Sequence, residues 1–298
     1  MKAKVTATAK YLPKKTLTNF DLEKMVDTSN EWIMSRTGIE KRHIVSDGEA
    51  TSDMCKEVAL ELMKKSGRKP EEIDLILVAT STPDVPVVST AALVQYKIGA
   101  INAWGYDIVA ACTGFVYAME TGAKLVESGK YNNVMVIGAD TMSSIIDYTD
   151  RNTCVIFGDG GGGVLLEPSN DECGVLDSIL LADGSGHKYL TVPAGGSLRP
   201  ANKDTVDKKM HYVYQDGKTV YKFAVKNMAD VSKKILDNNN LEGKDIKLFI
   251  PHQANKRIID AAAKRCGLSD EQVLVNINKY GNTTAGTIPI ALDEAVEA

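Results

Sequence analysis

Long apolar runs are absent from the 298-residue chain, and none approaches the roughly 20 residues needed to cross a bilayer. The N-terminal MKAKVTATAK also lacks the apolar stretch of a secretory signal. A large excess of one charge is missing too. Lys and Arg number 35 against 39 Asp and Glu, a net charge of −4, which argues against a protein whose main work is holding nucleic acid. Cysteine is scarce: Cys55, Cys112, Cys154, Cys173 and Cys266 are an odd number with no CxxC spacing. That excludes a fully paired disulfide framework and a Cys-rich zinc site, and a reducing cytoplasm is the natural setting. What is present is ordinary. With 44% hydrophobic and 25% charged residues, the chain has a soluble composition and is long enough for two domains or one large one.

Short β-rich runs (IDLILVAT, YDIVAAC, NVMVIGAD, TCVIFGDG) alternate with helix-like stretches such as SDMCKEVALELMKKSG, where Ser52 is a plausible N-cap. Strand and helix alternating in this way indicate an α/β fold. The pattern occurs twice. EEIDLILVATSTPD from Glu71 parallels GKDIKLFIPHQANK from Gly243, and YDIVAACTGFVYAMETGA parallels NINKYGNTTAGTIPIALDEA. This predicts two similar halves, 1–167 and 168–298, divided at the turn-rich stretch around Pro168. The run GDGGGG, Gly158 to Gly163, has no following Lys-Ser or Lys-Thr, so a tight turn with close strand packing is expected rather than a phosphate loop.

Cys112 lies where a strand ends and a helix is predicted to begin at about Thr113. A thiol at a helix N-terminus feels the positive end of the macrodipole, which favours the nucleophilic thiolate, and the free N–H groups there can hold an oxyanion. A small buried hydrophobe would fill the same junction, and the segment alone supports both readings equally. His252 follows the apolar run KLFI, at a strand end where α/β proteins place chemistry, and Asn282 sits in the Gly-flanked KYGNTTAGTIP. An ordinary core histidine and an ordinary turn asparagine would look the same.

Taken together, these segments resemble the thiolase superfamily and, within it, the 3-oxoacyl-acyl-carrier-protein synthase III family. The resemblance rests on DTSNEWIMSRTGIEKRHI, STPDVPVVSTAALVQ, ACTGF, DRNTCVIFGDGGGGVLL, YKFAVKNM, PHQANKRI and YGNTTAGTIPIAL, and it runs over essentially the whole chain. It implies a duplicated five-layer α-β-α-β-α sandwich with Cys112, His252 and Asn282 as the catalytic set. The activity implied is a decarboxylative condensation of an acyl-CoA with a malonyl carrier protein through an acyl-Cys intermediate, without metal or other cofactor, in a cytoplasmic homodimer. Thr28, Trp32, Arg36 and Arg151 match positions for the nucleotide end of CoA; Gly217, Tyr221, Ala254 and Asn255 match positions along the pantetheine arm. Lys222, Lys256, Arg257 and Lys264 form basic clusters suited to an acidic acyl carrier protein.

Two departures qualify the match. Val87 and Val88 stand where relatives often have a Phe-Pro pair, which leaves the starter chain length open. The chain stops at ALDEAVEA, so two C-terminal strands and a Gly-rich turn are expected to be lacking. Three other activities fit the same residues: a polyketide-type or CoA-only condensing enzyme, a non-catalytic acyl-CoA or carrier-protein binding module, and a Cys hydrolase with His252 as base.

Overall fold

The computed structural model describes residues 1–298. Its strands are β1 (Lys2–Tyr11), β2 (Lys15–Thr18), β3 (Lys41–Ile44), β4 (Leu75–Ala79), β5 (Trp104–Ile108), β6 (Val134–Asp140), β7 (Gly160–Ser169), β8 (Leu190–Thr191) and β9 (Tyr214–Gln215). Its helices are α1 (Asn19–Leu22), α2 (Asn30–Thr37), α3 (Thr51–Ser66), α4 (Thr90–Ile98), α5 (Gly114–Glu127), α6 (Lys203–Asp207), α7 (Gly217–Asn238), α8 (Lys256–Cys266), α9 (Ile277–Tyr280) and α10 (Thr287–Glu297). Five strands form one mixed sheet in the order β1-β7-β6-β4-β5, with β4 parallel to both neighbours and β7 antiparallel to β1 and β6.

The buried strands alternate their side chains between two cores, as the pleat requires. Ile76, Val78, Met135 and Ile137 meet Met54, Val58 and Leu62 of α3 and Val94 of α4 on one face. Leu75, Leu77, Val134 and Val136 meet Phe115, Ala118 and Val126 of α5 on the other, where Ala285 from the far end of the chain joins them. Gly160 to Gly163 of the glycine run belong to β7 rather than to a turn. A Cβ on Gly162 would lie 2.7 Å from the backbone N of Ile290, so the run lets α10 sit directly on the sheet. α3 begins two residues earlier than an N-cap at Ser52 suggests, with Ala50 as its N-cap.

The repeat is visible in the backbone. A 3-10 turn at Pro70–Glu72 recurs at Gly243–Asp245, and another at Ala111–Thr113, just before α5, recurs at Thr284–Gly286, just before α10. The first residue of each later turn has positive φ, 45° at Ala111 and 52° at Thr284.

Three expectations need correction. The second sheet layer is not formed: the KLFI run makes a single parallel bridge, Phe249 to Val273, because a strand needs a lateral partner along its length and this run has one at one residue only. The TCVIFGDG run is a series of turns up to Phe157, with the strand starting only at Gly160, so Cys154 is not on a strand. The division at Pro168 falls inside β7, where Pro168 pairs with Ala3.

Candidate active site

The turn carrying Cys112 packs against the turn Thr284–Gly286. Residues from both halves are knitted together there. Asn282 pairs with the first half through its N–H to the Ile156 carbonyl at 3.0 Å and its carbonyl to the Gly158 N–H at 3.1 Å. The Ala285 N–H donates to Asp140 Oδ2 at 3.0 Å. The approach is close enough to demand glycine: a Cβ on Gly138 would lie 2.3 Å from the Ala285 carbonyl oxygen.

The same turn orients two side chains. The Thr284 N–H donates to Asn282 Oδ1 at 2.9 Å, so the amide NH2 is left to face the thiol, and that contact favours the Cys112 thiolate. His252 Nδ1 lies 2.6 Å from Thr287 Oγ1, the first residue of α10. The stretch from Thr284 to Thr287 therefore contacts Cys112, His252 and Asn282, which come from separate places in the sequence.

The electrostatics differ from what a helix N-terminus alone suggests. Burial pushes the Cys112 thiol up to about 12, and the negative charge of Asp140 adds to this, against a smaller opposite pull from the Cys112 backbone N–H and Asn282. Cys112 sits in the 3-10 turn ahead of α5, and desolvation there outweighs the N–H donors around the sulfur. The resting thiol is protonated. Burial also lowers His252 to about 4, so its imidazole is neutral at physiological pH. Cys55, Cys154 and Cys266 are buried and Cys173 exposed; none is paired.

Asp140 escaped the sequence reading. It is fully buried at the end of β6 and accepts from Thr80 Oγ1, the Ser81 N–H and Thr82 Oγ1 as well as from Ala285. Burial raises it to about 6 despite these four donors. An acidic residue closing a buried strand next to the catalytic turn was the available signal. Thr287 left no signal, being one small residue that opens α10.

The CoA candidates divide into two groups. The Arg151 guanidinium stacks on Trp32 at 4.6 Å from the ring centroid and reaches Asp27 at 3.5 Å. A purine between the two planes would need two contacts of about 3.5 Å, so the guanidinium must swing away to admit one. Thr28 Oγ1, just upstream, is buried without a hydrogen-bond partner, and Arg36 is exposed on the last turn of α2. On the second half, Gly217 opens α7, and Tyr221 lies under the Arg257 guanidinium at 5.0 Å. Ala254 is half-buried beside His252. Asn255 caps α8 through the Arg257 N–H and clamps the Arg36 carbonyl at 2.7 Å, so much of its polar capacity is structural. Lys222 and Lys264 are exposed, and Lys256 is paired with Asp260.

Comparison with known proteins decides the family. The family model described as 3-oxoacyl-[acyl-carrier-protein (ACP)] synthase III matches residues 106–184, and its C-terminal counterpart matches 236–298. A beta-ketoacyl-[acyl-carrier-protein] synthase III of Chlorobium phaeobacteroides is 57% identical over 100% of this chain and 91% of its own length. Its counterpart in Koribacter versatilis is 54% identical over 99% and 90%. The chain belongs to the 3-oxoacyl-[acyl-carrier-protein] synthase III family.

A crystal structure of the Aquifex aeolicus synthase III superposes with a TM-score of 0.90 at 42% identity, covering 99% of this chain and 91% of that one. This gives the chain the thiolase-like fold of the synthase III family. The matches do not confirm the expected loss of two C-terminal strands. As a synthase III, the chain is an acyltransferase, the initiating condensing enzyme of type II fatty acid synthesis. No helix is long and apolar enough to cross a membrane.

Proposed function

We propose that this synthase III condenses a short acyl-CoA, such as acetyl-CoA, with a malonyl-acyl-carrier protein, using Cys112 as nucleophile and His252 and Asn282 as donors. The observation that carries the reading is that one short stretch, the turn Thr284–Gly286 and the start of α10, contacts all three. Cys112 Sγ attacks the acyl-CoA carbonyl, the thioester C–S bond breaks, and the proton lost from the thiol ends on the departing CoA sulfur. The malonyl thioester then loses CO₂. The electron pair released moves onto the thioester oxygen, where the His252 and Asn282 N–H groups stabilise it. The resulting carbon attacks the acyl-Cys112 carbonyl, a C–C bond forms, and the Cys112 sulfur leaves. These steps draw on thiol, imidazole, amide and backbone N–H groups, with no metal or other cofactor.

Thr28, Trp32, Arg36 and Arg151 would hold the nucleotide, the orphaned Thr28 hydroxyl being one observation in favour. Gly217, Tyr221, Ala254 and Asn255 would line the pantetheine arm. The enzyme would work in the cytoplasm, and as a homodimer. Dimerisation is supported by the unpaired edge of β5, with Trp104 half exposed and Tyr96 and Ile101 largely so.

Carrier docking is assigned to Lys222, Lys256, Arg257 and Lys264. Lys222→Glu is the cleaner test, since Arg257 also stacks on Tyr221. The expected result is weaker use of malonyl-carrier protein, with the defect shrinking as salt rises because exposed charges are screened over about 8–10 Å. Use of malonyl-CoA should change far less. Equal, salt-independent losses with both would refute docking at this face, and wild-type preference for malonyl-CoA would refute the carrier-protein reading.

A further inference from the structure

A neutral imidazole has one N–H to offer, and the partner of one ring nitrogen decides whether the other carries it. His252 Nδ1 has Thr287 Oγ1 at 2.6 Å. That threonine is buried, and its hydroxyl has one further contact, the Thr284 carbonyl oxygen at 3.4 Å. A hydroxyl owns a single proton. Good hydroxyl bonds run at about 2.7–2.8 Å, so the long contact is a poor claim on that proton and leaves it free for Nδ1. Resting on the condensing reading above, we propose that Thr287 is the positioning residue that sets the His252 tautomer: its O–H donates to Nδ1, which fixes the ring proton on Nε2 for the substrate oxygen.

Two consequences follow from the chemistry. His252 with Nε2 protonated is a hydrogen-bond donor and has no lone pair there to take the Cys112 proton. The stretch from Thr284 to Thr287 also sets the polarity of both donors, because the Thr284 N–H occupies Asn282 Oδ1 and leaves the amide NH2 free. Both orientations are anchored to the first half by the Ala285 N–H on Asp140.

The test is nitrogen-15 NMR of histidine-labelled full chain, with the His252 signals assigned by their loss in His252→Gln. Wild type is expected to show an unprotonated Nδ1 and a protonated Nε2 between about pH 6 and 9. Thr287→Ser should keep that signature and most of the malonyl decarboxylation rate. Thr287→Val should lose the fixed tautomer and lower kcat for decarboxylation about tenfold or more, with KM moving less. A protonated Nδ1 in wild type would overturn the proposal, and that spectrum decides even if the valine variant fails to fold. So would a valine variant with wild-type tautomer and kcat. Failure of acetyl-CoA to acetylate Cys112 in wild type would sink the condensing reading, whereas acetylation with the wrong tautomer would sink the Thr287 assignment alone.

Discussion

Cys112→Ser is expected to abolish acylation by acetyl-CoA, read as loss of the added acetyl mass on intact protein. Serine keeps the shape of the turn but supplies an alcohol, a far weaker nucleophile than sulfur at neutral pH. Serine at Cys55, Cys154, Cys173 or Cys266 should leave acetylation in place. Cys55 and Cys154 are enclosed in hydrophobic clusters, Cys266 is buried on α8, and Cys173 is exposed, so none of the four shares the Asn282 contact that Cys112 has. The pH dependence follows from the sign of the Cys112 shift. With the thiol pushed up to about 12, the thiolate is the minor form throughout the working range. Its fraction grows about tenfold per pH unit, so the single-turnover acetylation rate should climb steadily with pH and show no plateau near 7. A plateau there would mean that a bound substrate or a base lowers the thiol.

The second large effect concerns the donors. His252→Ala and Asn282→Ala should each slow malonyl decarboxylation by about 10²–10³, or roughly 3–4 kcal/mol, while leaving acetyl transfer to Cys112 detectable. Acyl transfer relies on the sulfur and backbone N–H groups, whereas the decarboxylation oxygen has these two side chains as its donors. Because His252 is lowered to about 4, it stays neutral above about pH 5, and the decarboxylation profile should show no break at the usual histidine value. Both rates must be measured separately. If Asn282→Ala stops acetylation as completely as Cys112→Ser, the division of labour is wrong.

The identities of the three site residues were legible through the family resemblance, because locally Cys112, His252 and Asn282 fit an ordinary buried thiol, core histidine and turn asparagine equally well. The alternating core was legible from pattern alone: Leu75 to Ala79 is apolar throughout and is covered on both faces by helices. Three properties were not legible. KLFI has the composition of a strand, but strand pairing depends on a partner that sequence pattern does not supply. The expected thiolate at Cys112 was reversed by desolvation and by Asp140, a residue brought near only by folding. Asn255 reads as a substrate contact, yet its amide caps α8 and ties it to α2. In each case the missing information was tertiary.

The central claim, that an acyl group resting on Cys112 is consumed by carbon–carbon bond formation, is tested most directly by a chase. The chain is loaded with acetyl-CoA carrying isotope in the acetyl group, freed of excess thioester, and mixed with malonyl-acyl-carrier protein. The expected result is loss of label from the Cys112 peptide, with matching label in 3-oxoacyl-carrier protein and release of CO₂. Label leaving as free acetate, or remaining on Cys112 after the malonyl substrate is added, would contradict it.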